Sequence, residues 1–189
     1  MIPPHPLQRV SPGAFWALYW FALGATFFLA AALGQLGRPY ESKMGAAGQT
    51  YTVLDLEFAG SARQLDAMLE VWGPEGRRAA IMQTLLDYFF LLAYSTTIAM
   101  GVLALAGHTQ GRMAAAGVQL AWGQWLAAAL DALENSALLV SLLGTPANPW
   151  PQIAFACAAA KFALVFAGLL YVLFALPLAY RPTPSALGR

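Results

Sequence analysis

Residues 114–143, AAAGVQLAWGQWLAAALDALENSALLVSLL, are long and apolar enough to cross a bilayer. Yet their second half carries Asp131, Glu134 and Asn135. A charge inside a membrane helix costs about 2.5–3.5 kcal/mol on insertion scales. The spacings i, i+3 and i+4 put all three polar residues on one helix face. Gln124, seven residues before Asp131, and Ser141, seven after Glu134, fall near that face. Carboxylates within a span point by default to a functional site. The alternative is a polar seam that only locks helix packing.

Three further apolar runs, at 13–33, 81–106 and 153–178, complete a set of four. Only 10% of the chain is charged and 59% is hydrophobic. Ordinary soluble domains carry about 25% charge. A span needs about 20 residues, and the run 13–33 supplies them. Ala30 and Ala32 imitate a signal-peptidase site, but a signal core is only about 7–15 residues long, so this run reads as a span. Together the runs predict an all-α membrane protein, an antiparallel bundle of four transmembrane helices forming one domain over 1–189. The fourth span ends at Pro177 and Arg181, with Tyr171 and Tyr180 in an expected aromatic belt, and the tail RPTPSALGR reads as mobile.

The sizeable polar segment, 34–79, is expected to cap one end. Residues 37–49 read as a loop from their Gly, Pro and Ser. Residues 50–58, TYTVLDLEF, alternate and predict a short strand. Ser61 with Gln64 then forms a capping box that opens an amphipathic helix. Its apolar face is Leu65, Met68, Leu69 and Trp72, and Gly73-Pro74 ends it. That face has two places to go, the membrane interface or the end of the bundle.

Four alternating spans place the cap and the turn 144–152 on one side. Glu134, Asn135 and Lys161 then lie about 12–14 Å below that side at 1.5 Å per residue. Asp131 is a turn deeper and Asp87 is shallower. The intramembrane charges thus fall at one depth, which predicts that Asp87, Glu134 and Lys161 line a common cavity. Tyr94 and Thr97, seven and ten residues after Asp87, share its face. With three acids and one base, at least one carboxyl is expected to be protonated or hydrogen-bonded to Tyr94, Asn135 or water. Trp122, Trp125, Phe89, Phe90 and Tyr94 are candidates to line an apolar pocket beside it. Ordinary packing and lipid contact are the alternative for each aromatic taken singly.

A net charge of +1 gives no electrostatic case for nucleic acid. The single Cys157 excludes an internal disulfide and a CxxC redox pair. His5 and His108 both lie outside the apolar runs, which argues against a histidine-ligated zinc, haem or di-iron centre in the membrane. Lys161 at the same depth opposes a divalent cation held by Asp87, Asp131 and Glu134. Neither a metal nor another cofactor is therefore expected. The chain has no phosphate loop and no nucleophile elbow. Ser136 and Ser141 have no histidine nearby to activate them.

The segment LEFAGSARQLDAMLEVWGPEGRRAAIMQTLLDYFFLLAYS, followed by LDALEN, resembles a group of uncharacterised four-span bacterial integral membrane proteins. The resemblance covers roughly residues 54–136. It implies the topology and no activity.

Three functions remain. The first is a site for a membrane lipid or lipophilic small molecule, with Glu134, Asp131 and Asp87 available for acid-base chemistry. Lys161, Asn135, Tyr94, Trp125, Trp122 and Gln124 would bind the ligand. The second is a small proton-coupled transporter using the carboxylates as a relay, with oligomerisation supplying the second half common in carriers. The third is a non-catalytic accessory subunit of a larger membrane complex. The expected location is a bacterial cytoplasmic membrane. Arg9, Arg112, Arg181 and Arg189, set against the base-free turn 144–152, favour cytoplasmic termini, although Arg77 and Arg78 count the other way.

Overall fold

A computed structural model of the chain describes residues 3–179. Tyr180 and the tail 181–189 lie outside the described residues. A 3₁₀ turn at Pro6–Arg9 precedes five helices: α1 (Pro12–Glu41), α2 (Val53–Glu57), α3 (Ala62–Ala106), α4 (Gly111–Leu143) and α5 (Trp150–Ala179). All but α2 are long and apolar enough to cross a membrane. Their Ala- and Leu-rich runs favour the helix intrinsically, and in lipid the helix satisfies every backbone polar group internally. The short connections at 107–110 and 144–149 reverse the chain between successive long helices.

Helix α3 is the centre of the bundle and packs along α1, α4 and α5, while α4 also packs along α5. Helix α1 makes extended contact with α3 alone among the long helices. Only 11% of its apolar window is buried, against 50% for α3. Trp20, Phe21, Phe27 and Phe28 of α1 are exposed on its outer face, as lipid contact requires. The bundle is therefore open along the seam between α1 and α5.

The cap corrects two expectations. Among the described residues there is no strand, and residues 53–57 are helical. Thr52 caps α2: its hydroxyl accepts from the Asp55 backbone N–H at 3.4 Å, and the Asp55 carboxylate accepts from the Thr52 N–H at 2.7 Å. Glu41 adds a bond by accepting from the Val53 N–H at 2.9 Å. A lone strand with no neighbour would leave its ladder groups unpaired; the capped turn satisfies them. The second correction concerns residues 37–41, expected in a loop, which instead continue α1 through Pro39. Proline removes one backbone bond within a turn of the helix end, and Tyr40 anchors that end. Its ring lies 4.3 Å from Trp72 and its hydroxyl donates to Gln83.

The apolar face of the cap helix goes to the bundle. Leu65 and Trp72 are fully buried and Met68 nearly so, in a cluster with Tyr40, Leu56, Leu138 and Leu142. The chain breaks at Gly73, whose φ of 67° suits glycine, and resumes as helix at Pro74. The carbonyl of Trp72 freed by this break accepts from Lys43 Nζ at 2.5 Å. A Cβ on Gly76 would lie 2.8 Å from the Cβ of Tyr40, so glycine lets α1 and α3 close together here. Arg77 donates through Nε to the Leu142 carbonyl at 2.6 Å and through Nη2 to that of Gly144. It thereby closes the C-terminal end of α4, where a cation is favoured.

Candidate functional site

Lys161 on α5 is the hub of the charged residues. Its Nζ lies 2.7 Å from Asp131 Oδ1, 2.9 Å from Glu134 Oε2 and 3.4 Å from Glu57 Oε2. Tyr94 on α3 donates its hydroxyl to Asp131 Oδ2 at 2.8 Å. Asn135 donates Nδ2 to Asp87 Oδ2 at 2.7 Å. The i, i+3, i+4 face of α4 thus meets α3 and α5 together. Asp87 and Lys161 line one cavity with Asp131, Tyr94 and Asn135, whereas Glu134, expected among its lining, is not part of it. Glu134 is fully buried beside the cavity, bound in the ion cluster.

The cavity has a volume of about 550 Å³. Its walls come from α1 (Ala30, Leu33, Gly34), α3 (Phe90, Ile98) and α5 (Phe162, Val165), and α2 closes one end with Val53, Leu54 and Glu57. Glu41, Gln83 and Thr84 add polar groups to the lining. Helices α1 and α5 make no extended contact with each other, and both contribute to the cavity wall.

The donors in the cluster fall short of the acceptors. Lys161 is a single cation shared among Asp131, Glu134 and Glu57. Asp87 has no cationic partner within 4 Å among the described residues. Glu134 has the Lys161 ammonium 2.9 Å from Oε2, while its Oε1 has no hydrogen-bond donor among the described residues. Glu57 Oε2 is also without a hydrogen-bond donor. Burial pushes the Glu57 carboxyl above the usual carboxylate range, with the Lys161 ammonium pulling the other way.

Glu57 is the member of the cluster that sequence reasoning missed. Within a strand it would have belonged to the solvent side of a cap. As the last residue of α2 it reaches down to Lys161. The available signal was Thr52-x-x-Asp55, a helix-capping pattern one turn ahead of it.

Three expected ligand-binding residues lie elsewhere. Trp122 and Trp125 are not in the cavity; their rings enclose His5 of the N-terminal segment, at centroid distances of 4.7 and 4.4 Å. Trp122 Nε1 donates to the Pro3 carbonyl at 3.2 Å. At 100° per residue these tryptophans point about 180° and 120° away from Asp131, so the helix turns them to another face. Gln124 is on the right face but two turns removed, and its Nε2 donates to the Leu164 carbonyl at 2.9 Å. Phe89, 64% exposed, faces outward, whereas its neighbour Phe90 lines the cavity.

The His5 contact predicts a pH effect away from the cavity. His5 is fully buried, its Nδ1 accepts from the Leu7 N–H at 3.3 Å, and burial holds its pKa below the ordinary 6.5. A base with a depressed folded-state pKa stabilises the docked segment above its free pKa, and that stability is lost as pH falls below about 6.5. Protonation also removes the Nδ1 acceptor. Tryptophan emission from Trp122 and Trp125 is expected to change between about pH 7 and pH 5, and His5→Phe should abolish the change. Emission that is flat over this range in the unsubstituted protein would contradict the assignment.

No protein-family model, no curated protein and no solved structure matches the chain.

Proposed function

We propose that the chain is an integral membrane protein that binds a lipophilic small molecule or lipid in the cavity between α1 and α5. The carrying observation is the cavity itself: apolar walls from Leu33, Ile98, Phe162 and Val165, with Asp87, Asp131 and Lys161 along the same lining. Small-molecule sites have volumes of about 300–1,000 Å³, are mostly apolar, and carry a few polar groups that orient the ligand. An open seam between two lipid-exposed helices gives an apolar ligand access from the bilayer without crossing water. The polar end would meet Asp87, Asp131 and Lys161, while the apolar part lies along α1 and α5.

Asp131 is the residue best placed for acid-base work on such a ligand. It lines the cavity, and Lys161 and Tyr94 hold its two oxygens at 2.7 and 2.8 Å. Glu134 serves it as a buried positioning residue through Lys161. Arg9, Arg112, Arg181 and Arg189 on the opposite side, against the base-free turn 144–152, favour placing this end of the bundle on the outer side of a cytoplasmic membrane.

Protein purified in mild detergent and extracted with organic solvent is expected to release one amphiphile in about 1:1 ratio to the chain, read by mass spectrometry. Recovery of bulk lipids alone, in the proportions of the membrane, would refute the reading.

A further inference from the structure

The charge balance of the cavity points to the kind of head group it takes. Among four carboxyls, Glu57, Asp87, Asp131 and Glu134, there is one cation, Lys161, which pairs with all but Asp87. If all four are ionised, three negative charges need compensation by protons or by a ligand. Lys161 is fully engaged, with three carboxylates within 3.4 Å. Asp87 stands apart from it. Its one hydrogen bond among the described residues comes from Asn135, a neutral donor, and the carboxyl borders the open cavity. A second observation is independent of Asp87. Glu134 is fully buried in the same cluster; Lys161 lies 2.9 Å from its Oε2, and its Oε1 has no hydrogen-bond donor among the described residues. The site therefore has acceptors to spare and lacks positively charged donors.

We propose that the cavity binds an amphiphile whose polar end is a protonated amine, with Asp87 as its counter-ion. This rests on the lipophilic-ligand reading above and narrows its chemical class. A primary ammonium has three donors and supplies the positive charge the cluster lacks. An anionic head would instead meet Asp87, Glu57 and the rim carboxylate of Glu41, a repulsion expected to exclude it. Phe90 and Tyr94, at 5.3 Å from each other and both on the cavity wall, offer aromatic surface beside the head group. A cation near ring faces is favoured further. The alkyl part would run along Ile98, Phe162 and Val165 towards the α1–α5 seam.

The test uses the full chain in phosphatidylcholine nanodiscs, whose head group has no N–H donor. Equilibrium binding is measured for dodecylamine, dodecanol and dodecanoate, which share one apolar chain. Dodecylamine is expected to bind at least about tenfold more tightly than either of the others. Asp87→Asn should reduce it to the level of dodecanol without lowering thermal stability, and Asp87→Glu should restore the preference. Adding phosphatidylethanolamine locates the source of the ammonium. Competition assigns it to a membrane aminolipid and no competition to a single-chain amine, and either lies within the proposal. Dodecanol or dodecanoate binding as tightly as dodecylamine would overturn the amine assignment while leaving the cavity reading intact. If none of the three binds saturably, the cavity reading itself fails. Should Asp87→Asn not fold, the amine-to-alcohol ratio on the unsubstituted chain still decides.

Discussion

Replacing Lys161 with methionine is expected to destabilise the bundle by about 3–5 kcal/mol, the usual cost of removing one partner of a buried ion pair. The side chain of Lys161 is 7% exposed, and those of Asp131 and Glu134 are 3% and 0% exposed. Without the ammonium, both carboxylates remain in a low-dielectric region with no counter-charge. Adding Asp131→Asn and Glu134→Gln to Lys161→Met removes those charges and is expected to recover more than half of the loss. The defect of the single variant should also shrink as pH falls, because a protonated carboxyl needs no counter-ion. Thermal or denaturant unfolding in detergent at pH 5 and pH 8 reads both effects. A loss below about 1 kcal/mol, typical of exposed pairs, or one unchanged with pH, would show that the cluster is not held by charge.

The second large effect is on binding rather than on stability. Gly34 of α1 lines the cavity, and a Cβ added there would have no atom within 4 Å. The Cβ of Gly34→Phe therefore meets no neighbour, and its ring is expected to occupy the α1 side of the cavity. Exchanging glycine within a helix for a better helix former adds a few tenths of a kcal/mol, so folding should be unharmed. Ligand affinity is expected to fall about a hundredfold, roughly 2.7 kcal/mol, as measured by titration of whichever amphiphile co-purifies. Affinity unchanged by Gly34→Phe would move the ligand out of this cavity.

These two variants separate the functional site from a packing seam, the choice left open by Asp131 and Glu134 in the sequence. A seam predicts the stability loss of Lys161→Met and nothing from Gly34→Phe. A site predicts both.

What could be read from residue order was depth and face. Counting 1.5 Å per residue from the ends of four apolar runs was enough to bring Asp87, Asp131, Glu134 and Lys161 together. Each is fixed along a helix whose ends the composition marks. Glu57 was not legible in this way. It sits on α2, a helix of one and a half turns, where Thr52, Leu54, Leu56 and Phe58 alternate with Val53, Asp55 and Glu57 as a strand would, and capping by Thr52 and Asp55 with tertiary packing of Leu56 decides otherwise. Aromatic character alone suggests Trp122 and Trp125 for the pocket, but the helical angle that separates them from Asp131 turns them away from it. Their partner, His5, lies over a hundred residues away, and no periodicity carries that information. The opening between α1 and α5 was equally beyond the sequence, since it depends on which neighbours α1 lacks. The exposed Trp20, Phe21, Phe27 and Phe28 are compatible with any lipid-facing helix.

The most direct measurement is an experimental structure of the protein in lipid nanodiscs prepared from native membranes. The account predicts elongated density entering between α1 and α5, running past Phe162 and Val165, and ending within hydrogen-bond distance of Asp87 or Asp131. A bundle in which α1 has closed onto α5, with the cavity collapsed and no density beside Asp87, would contradict it.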